Sequence, residues 1–217
     1  MYNILHLTQN IPDAVRTSFT TYSLCTHNMI QVDIQLSQDN VVFISHKSFI
    51  GNKLLSNLYF HEIVELDPDI VGLKSFLETF VLTRKKILLH VNANHRFICA
   101  FLNKILTQYT YLNEIFIGSR NIYVLESMRR FNENYNLGLI TKNILDNDIL
   151  SYYIKKFDID FVSFHWSALH PESIKYLRGK KVMVFGYTCK NNNIKSLIEE
   201  YKLDGIVLSS QHAKGAA

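Results

Sequence analysis

The chain has 217 residues, 47% of them apolar, and a formal net charge of only +4. That is enough apolar surface for a sizeable core, and three prolines and eight glycines leave little room for linkers or disorder. Basic residues are scattered, and the densest runs, Arg84-Lys85-Lys86 and Gly179-Lys180-Lys181, precede apolar segments where they read as solvated element ends, so no nucleic-acid surface is expected.

Cys25, Cys99 and Cys189 lie far apart with no CxxC spacing, which predicts reduced thiols in a cytoplasm-like compartment. The opening "MYNILHLTQN" lacks a charged region followed by a long apolar one, so no signal peptide is expected, and no apolar run approaches the length of a membrane span. A single domain over 1–210 with a tail over 211–217 is predicted.

In chain order, "NILHL" reads as a first strand. "IQVDIQL" is the second, with polar residues at alternate positions: Gln31, Asp33 and Gln35. That period of two predicts one apolar face and one polar, functional face. "VVFISH" follows after only "SQDN". A parallel strand needs a crossover of a dozen residues or more, so this segment must be an antiparallel arm of a hairpin, returning His46 towards the end of the second strand. "SFIGNKLLSNLYFHEIVELDPDIVG" is a short insertion. Beyond it, strand and helix patterns alternate: "GLKSFLETFVL", "KILLHV", "RFICAFLNKIL", "EIFIGS", "NIYVLESMRRF", "LGLIT", "DILSYYIKKF", "DFVSF", "PESIKYL", "KVMVF", "NNIKSLIEEYK" and "DGIVLS". Asp148, His170-Pro171 and Asn192 or Asn193 are the predicted helix starts. No glycine-rich phosphate loop follows the first strand, which weighs against a dinucleotide-binding fold. About eight strand–helix units predict a closed (β/α)8 TIM barrel with a hairpin extension on its second strand.

In such a barrel the site lies at the C-terminal strand ends. The candidates there are His6, Gln31, Asp33, His46, His90, Asn92, Ser119, His165 and Tyr187. Isolated histidines in strands are usually packed core residues; His6, His46 and His90 converging beside one carboxylate favour a functional reading.

With these residues in place, the chain resembles the glycerophosphodiester phosphodiesterases, barrel enzymes related to phosphatidylinositol-specific phospholipase C. That family opens with His-Arg-Gly and a Pro-Glu-Asn-Thr segment, then carries Glu-x-Asp, a hairpin ending in His-Asp, Glu-x-Lys, Ser-Phe, Trp-Thr and a closing Asp-Gly-Ile. Here the corresponding residues are His6-Leu7-Thr8, Pro12-Asp13 with Thr17-Ser18-Phe19, Gln31 and Asp33, His46-Lys47, His90 and Asn92, Ser119, Tyr187-Thr188, and Asp204-Gly205-Ile206.

The resemblance implies a phosphoric diester hydrolase of lipid metabolism in which two histidines, here His6 and His46, act as general acid and base. It also implies a divalent metal on the positions of Gln31, Asp33 and His90. Replacing two of three carboxylates weakens the case for Mg²⁺ or Ca²⁺ and favours Zn²⁺, Mn²⁺ or Fe²⁺. The family's phosphate-holding Arg and Lys are Leu7 and Asn92, which leaves Lys47 as a point charge able to replace the metal altogether, or as a solvated hairpin-end lysine. Ser119, His165 and Tyr187 are further candidates for holding substrate. The expected ligand is a small phosphodiester or lipid head group. The other reading is a non-catalytic relative that binds a phosphorylated ligand or a protein partner.

Overall fold

The computed structural model describes residues 1–7, 27–80, 85–92, 97–110, 114–189 and 192–209. The predicted segment around Pro12–Phe19, Cys25 and the tail over 211–217 lie outside them. The strands are β1 (Tyr2–His6), β2 (Met29–Leu36), β3 (Val42–Ile44), β4 (Phe49–Ile50), β5 (Lys53–Leu54), β6 (Lys86–Val91), β7 (Ile115–Ser119), β8 (Asn136–Thr141), β9 (Phe161–His165), β10 (Met183–Cys189) and β11 (Gly205–Ser209). Eight of them, all except β3 to β5, pair in parallel, and β1 pairs with both β2 and β11, so the sheet closes into a barrel. The helices are α1 (Phe60–Leu66), α2 (Leu73–Phe80), α3 (Ile98–Leu106), α4 (Ile122–Phe131), α5 (Asn147–Phe157), α6 (Pro171–Gly179) and α7 (Asn192–Glu200). None is long and apolar enough to cross a membrane.

Every residue of β2 is buried. Its two faces nevertheless differ, as the period of two requires. Ile30, Val32, Ile34 and Leu36 pack outward with Leu73, Leu77, Leu89 and Leu102 in the layer between sheet and helices. Met29 lies inside the barrel among Ile4, Leu88, Phe116, Ile140, Phe161, Phe185 and Val207. Phe161 stacks on Phe185 at 5.1 Å between ring centroids. A Cβ at Gly138 would come within 2.3 Å of the Phe161 ring, so the aromatic plug depends on that glycine. The barrel is thus filled with side chains below its mouth, and the polar residues of β2 can gather only above the plug.

β3 runs antiparallel to the end of β2, with Ile34 opposite Ile44 and Leu36 opposite Val42. The tight connection is closed by Ser37 and Val41, with Asn40 in the left-handed region at φ 65°, a conformation asparagine tolerates. α5 starts two residues earlier than Asp148: Asp146 caps it by accepting a hydrogen bond from the Ile149 amide at 2.8 Å, while Asp148 falls in the first turn, where a carboxylate still meets the positive helix end. The insertion after His46 also has structure of its own, the β4–β5 hairpin, a 3₁₀ turn and α1.

Candidate active site

One carboxylate organises the mouth. Asp33 is almost fully buried. Its Oδ2 faces His6 Nε2 at 3.0 Å and His46 Nδ1 at 2.5 Å, and its Oδ1 faces His90 Nδ1 at 2.5 Å. The parallel register explains this: His6 on β1 is level with Gln31 on β2, and Asp33 is level with His90 on β6. All three imidazoles therefore belong to neighbouring strands or to the hairpin arm that folds over them. The rings of His6 and His46 meet edge to face, 5.2 Å apart.

An ionised carboxylate only accepts hydrogen bonds, so each facing nitrogen must carry a proton. Burial pushes the Asp33 carboxyl upward, but hydrogen bonds from His46, His6 and His90 outweigh it and hold the group well below the usual carboxylate range. The tautomers of the neutral rings follow. His6 keeps its lone pair on Nδ1, and His46 and His90 keep theirs on Nε2. The hydrogen bond to Asp33 raises the His46 pKa against the opposing effect of burial. His46 is half-exposed and His6 buried. His90 Nε2 is buried without a hydrogen-bond partner.

Gln35, the third polar residue of β2, fastens the arm. Its amide donates to the carbonyls of Ser45 and Lys47, at 2.8 and 2.7 Å, on either side of His46. Ser45 adds hydrogen bonds to Lys47 through its hydroxyl. The alternation in β2 placed Gln35 on the functional face, but only the folded arm shows what it holds.

The remaining candidates are distributed differently from expectation. Lys47 directs its ammonium to Asp67, 3.8 Å away, so the point-charge role predicted for it faces a competing partner. Ser119 is fully buried, donating to the Val91 carbonyl and accepting from the Asn121 amide. Its hydroxyl ties the end of β7 to β6 and to the turn that follows. Asn92 is exposed after β6. His165 and Tyr187 stand level on β9 and β10 and meet edge to face at 5.6 Å, with His165 Nδ1 bonded to Ser167 at 2.7 Å and the Tyr187 hydroxyl donating to the Thr141 carbonyl at 3.0 Å. Leu7 packs in the outer apolar layer. Arg120, directly after Ser119, was not among the candidates, yet its guanidinium lies beside the Tyr187 hydroxyl; its position immediately after a barrel strand was the available signal.

The family resemblance implied separate roles for His6 and His46, as proton-transfer groups, and for Asp33, His90 and Gln31, as metal ligands. The structure does not keep the two sets apart, because one carboxylate serves all three histidines. Ligand atoms of His6, Asp33 and His46 lie within 4.8 Å of one another. Two nitrogens and an oxygen at that spacing form a donor set that fits a divalent metal.

Fold and site together define a (β/α)8 barrel with its polar centre at the C-terminal mouth. The fold is similar to that of solved glycerophosphodiester phosphodiesterases. A phosphodiesterase from Oleispira antarctica, solved in complex with its product sn-glycerol 3-phosphate, superposes with a TM-score of 0.82 over 100% of this chain and 97% of its own, at 15% identity. The glycerophosphodiester phosphodiesterase from Parabacteroides distasonis gives 0.83 over 99% and 96% at 12% identity, and that from Thermotoga maritima 0.76 over 96% and 94% at 15%. No protein-family model matches the sequence, and neither does any curated protein.

Proposed function

We propose that the protein is a phosphodiesterase that hydrolyses a small glycerol-phosphate diester or a lipid head group by proton transfer between His6 and His46. The observation that carries this reading is the pair of imidazoles held on one buried, ionised carboxylate. His46, with its pKa raised, is the general acid: its Nε2 protonates the departing alkoxide. His6, with a lone pair on Nδ1, is the general base that takes a proton from the attacking water as its oxygen bonds to phosphorus. Asp33 stays ionised, fixes both tautomers and stabilises each imidazolium as it forms. His6, Asp33 and His46 could instead hold a metal, in which case the two imidazole lone pairs would be ligands and would not carry protons; this one-carboxylate set suits Zn²⁺, Mn²⁺ or Fe²⁺ over Mg²⁺ or Ca²⁺, and bound there the ion would supply charge neutralisation for the diester. A cytoplasm-like compartment belongs to this reading, and burial pushes the Cys99 thiol up to about 11.

The test is turnover of bis(p-nitrophenyl) phosphate and of a glycerophosphodiester, first with chelator and then with each ion in turn. His6→Ala and His46→Ala should each lower the rate by ~10²–10⁴-fold while the fold is retained. A second reading has its own observation: Gln31 stands where the resembled family has a carboxylate, and Leu7, in place of its arginine, is buried in the apolar layer. In that reading the protein binds a phosphorylated ligand or a partner without cleaving. No turnover under any condition, with glycerol 3-phosphate binding that survives both histidine substitutions, would establish it.

A further inference from the structure

Of the four arginines among the described residues, three have a carboxylate or backbone carbonyl partner away from the mouth. Arg129 bonds the carbonyls of Phe157 and Tyr135 and the Asp160 carboxylate. Arg130 pairs with Glu126 at 2.9 Å, and Arg178 bonds the Tyr201 and Lys202 carbonyls at 2.7 and 2.5 Å. Arg120 differs. It is exposed, no carboxylate among the described residues pairs with it, and its protein partner is the neutral hydroxyl of Tyr187.

The position of that partner matters. Arg120 leaves the end of β7, whereas Tyr187 is on β10, and β8 and β9 stand between them in the barrel. To reach the phenol, the side chain has to pass over the mouth. Tyr187 is itself anchored, nearly fully buried, by its hydrogen bond to the Thr141 carbonyl and its contact with His165. A guanidinium carries five N–H donors in a planar fork that matches an oxyanion bidentately. Among the described residues its fork meets no acceptor besides that hydroxyl, on the same end of the barrel as His6, Asp33 and His46. The other cation proposed for this end, Lys47, sits against Asp67, and the positions that carry phosphate-binding cations in the resembled family are Leu7 and Asn92.

We propose that Arg120 is the phosphate-binding residue of this mouth, with the Tyr187 hydroxyl holding its guanidinium across the opening. The inference rests on the phosphodiester reading and deepens it: the charge that engages the substrate's non-bridging oxygens comes from the end of β7, opposite the aromatic wall of β9 and β10, and not from the strands that carry the histidines. Tyr187 acts through Arg120 and is a positioning residue.

The experiment measures KM and kcat for bis(p-nitrophenyl) phosphate, and Kd for sn-glycerol 3-phosphate by calorimetry, on the wild type, Arg120→Ala, Arg120→Gln, Arg120→Lys and Tyr187→Phe, each checked by thermal melting. Hydrogen bonds to a charged group predict that Arg120→Ala and Arg120→Gln raise KM and Kd by about 10- to 100-fold, with kcat changed much less. Arg120→Lys should recover part of the loss, because the charge returns without the fork. Tyr187→Phe should raise KM by a smaller factor and leave the salt dependence of binding intact, since the cation is still present. Unchanged KM and Kd in folded Arg120→Ala and Arg120→Gln, with an active or ligand-binding wild type, would overturn the assignment of Arg120 and leave the phosphodiester reading standing. A wild type that neither cleaves the diester nor binds glycerol 3-phosphate would overturn both.

Discussion

The two ends of the barrel use carboxylates in opposite ways. At the N-terminal end, Asp160 precedes β9 and accepts from the Leu137 amide at 2.9 Å and from Arg129 at 3.1 Å. Asp204 precedes β11 and accepts from the Val184 amide at 2.8 Å. Their backbones continue the ladders, through Asp160 to Leu137 and Met183 and through Asp204 to Tyr2 and Val184. At the C-terminal end, Asp33 accepts only from imidazoles in its recorded side-chain contacts. Amide and guanidinium donors keep their protons at any ordinary pH, so Asp160 and Asp204 act as fixed stitches between strands. Imidazoles gain and lose protons near neutrality, so the same residue type at the other end becomes part of a proton-handling device.

Asp33→Asn breaks that comparison most severely. An amide can no longer accept from three N–H groups or stabilise an imidazolium, and both tautomers lose their reference. Turnover should fall by about 10³–10⁴-fold, measured alongside a circular dichroism spectrum that stays native. If activity drops by less than tenfold, Asp33 is a structural residue like Asp160 and the contrast between the two ends fails.

Asp160→Ala tests the other end. It removes the acceptor of the Leu137 amide and of Arg129, so stability should fall by ~1–3 kcal/mol. Chemical denaturation reads that loss. The kcat of the folded fraction should remain at the wild-type value, because nothing at the mouth contacts Asp160.

Gln35→Leu sharpens the comparison within the mouth itself. It strips the donors from the Ser45 and Lys47 carbonyls and loosens the arm that carries His46. The expected loss is about tenfold in kcat, as for a modest misplacement of a reacting group, with KM nearly constant. Retained kcat with lowered stability would make Gln35 a packing residue only.

The smallest effect is the pH dependence of stability. The folded value of Asp33 is depressed, so its contribution is present above about pH 4, the unfolded carboxylate value, and is lost as pH falls through the lower folded value. His46 has a raised folded value, so its contribution is complete below about pH 6.5 and is lost as pH rises through that folded value. Melting temperature against pH, without added metal, should therefore be highest between these limits and decline on either side. His46→Gln should flatten the alkaline limb and leave the acid limb sloping. An alkaline limb unchanged by that substitution would detach His46 from Asp33.

Much of this architecture was written in local pattern. The order of apolar segments predicted about eight strands alternating with helices, and eight parallel strands stand among the described residues, because burial periodicity is a property of short segments. Four residues, "SQDN", were too few for a crossover and so dictated the antiparallel arm. The alternation Gln31, Asp33, Gln35 placed three polar residues on the inner face of β2, and His6, His46 and His90 were legible as residues of the same barrel end. What each of them touches was not legible. The three histidines meet Asp33 from 27, 13 and 57 residues away: His6 through the β1–β2 register that closes the barrel, His46 through the hairpin arm and His90 through the β2–β6 register. The single carboxylate shared by three histidines, the partner of Lys47, the hydrogen bonds of the Ser119 hydroxyl and the nearness of Arg120 to Tyr187 were all decided by the tertiary structure. Periodicity records which face a side chain takes, while side-chain partners across a barrel depend on the relative positions of strands far apart in the chain, and those positions are set by the packing of the whole sheet around its aromatic plug.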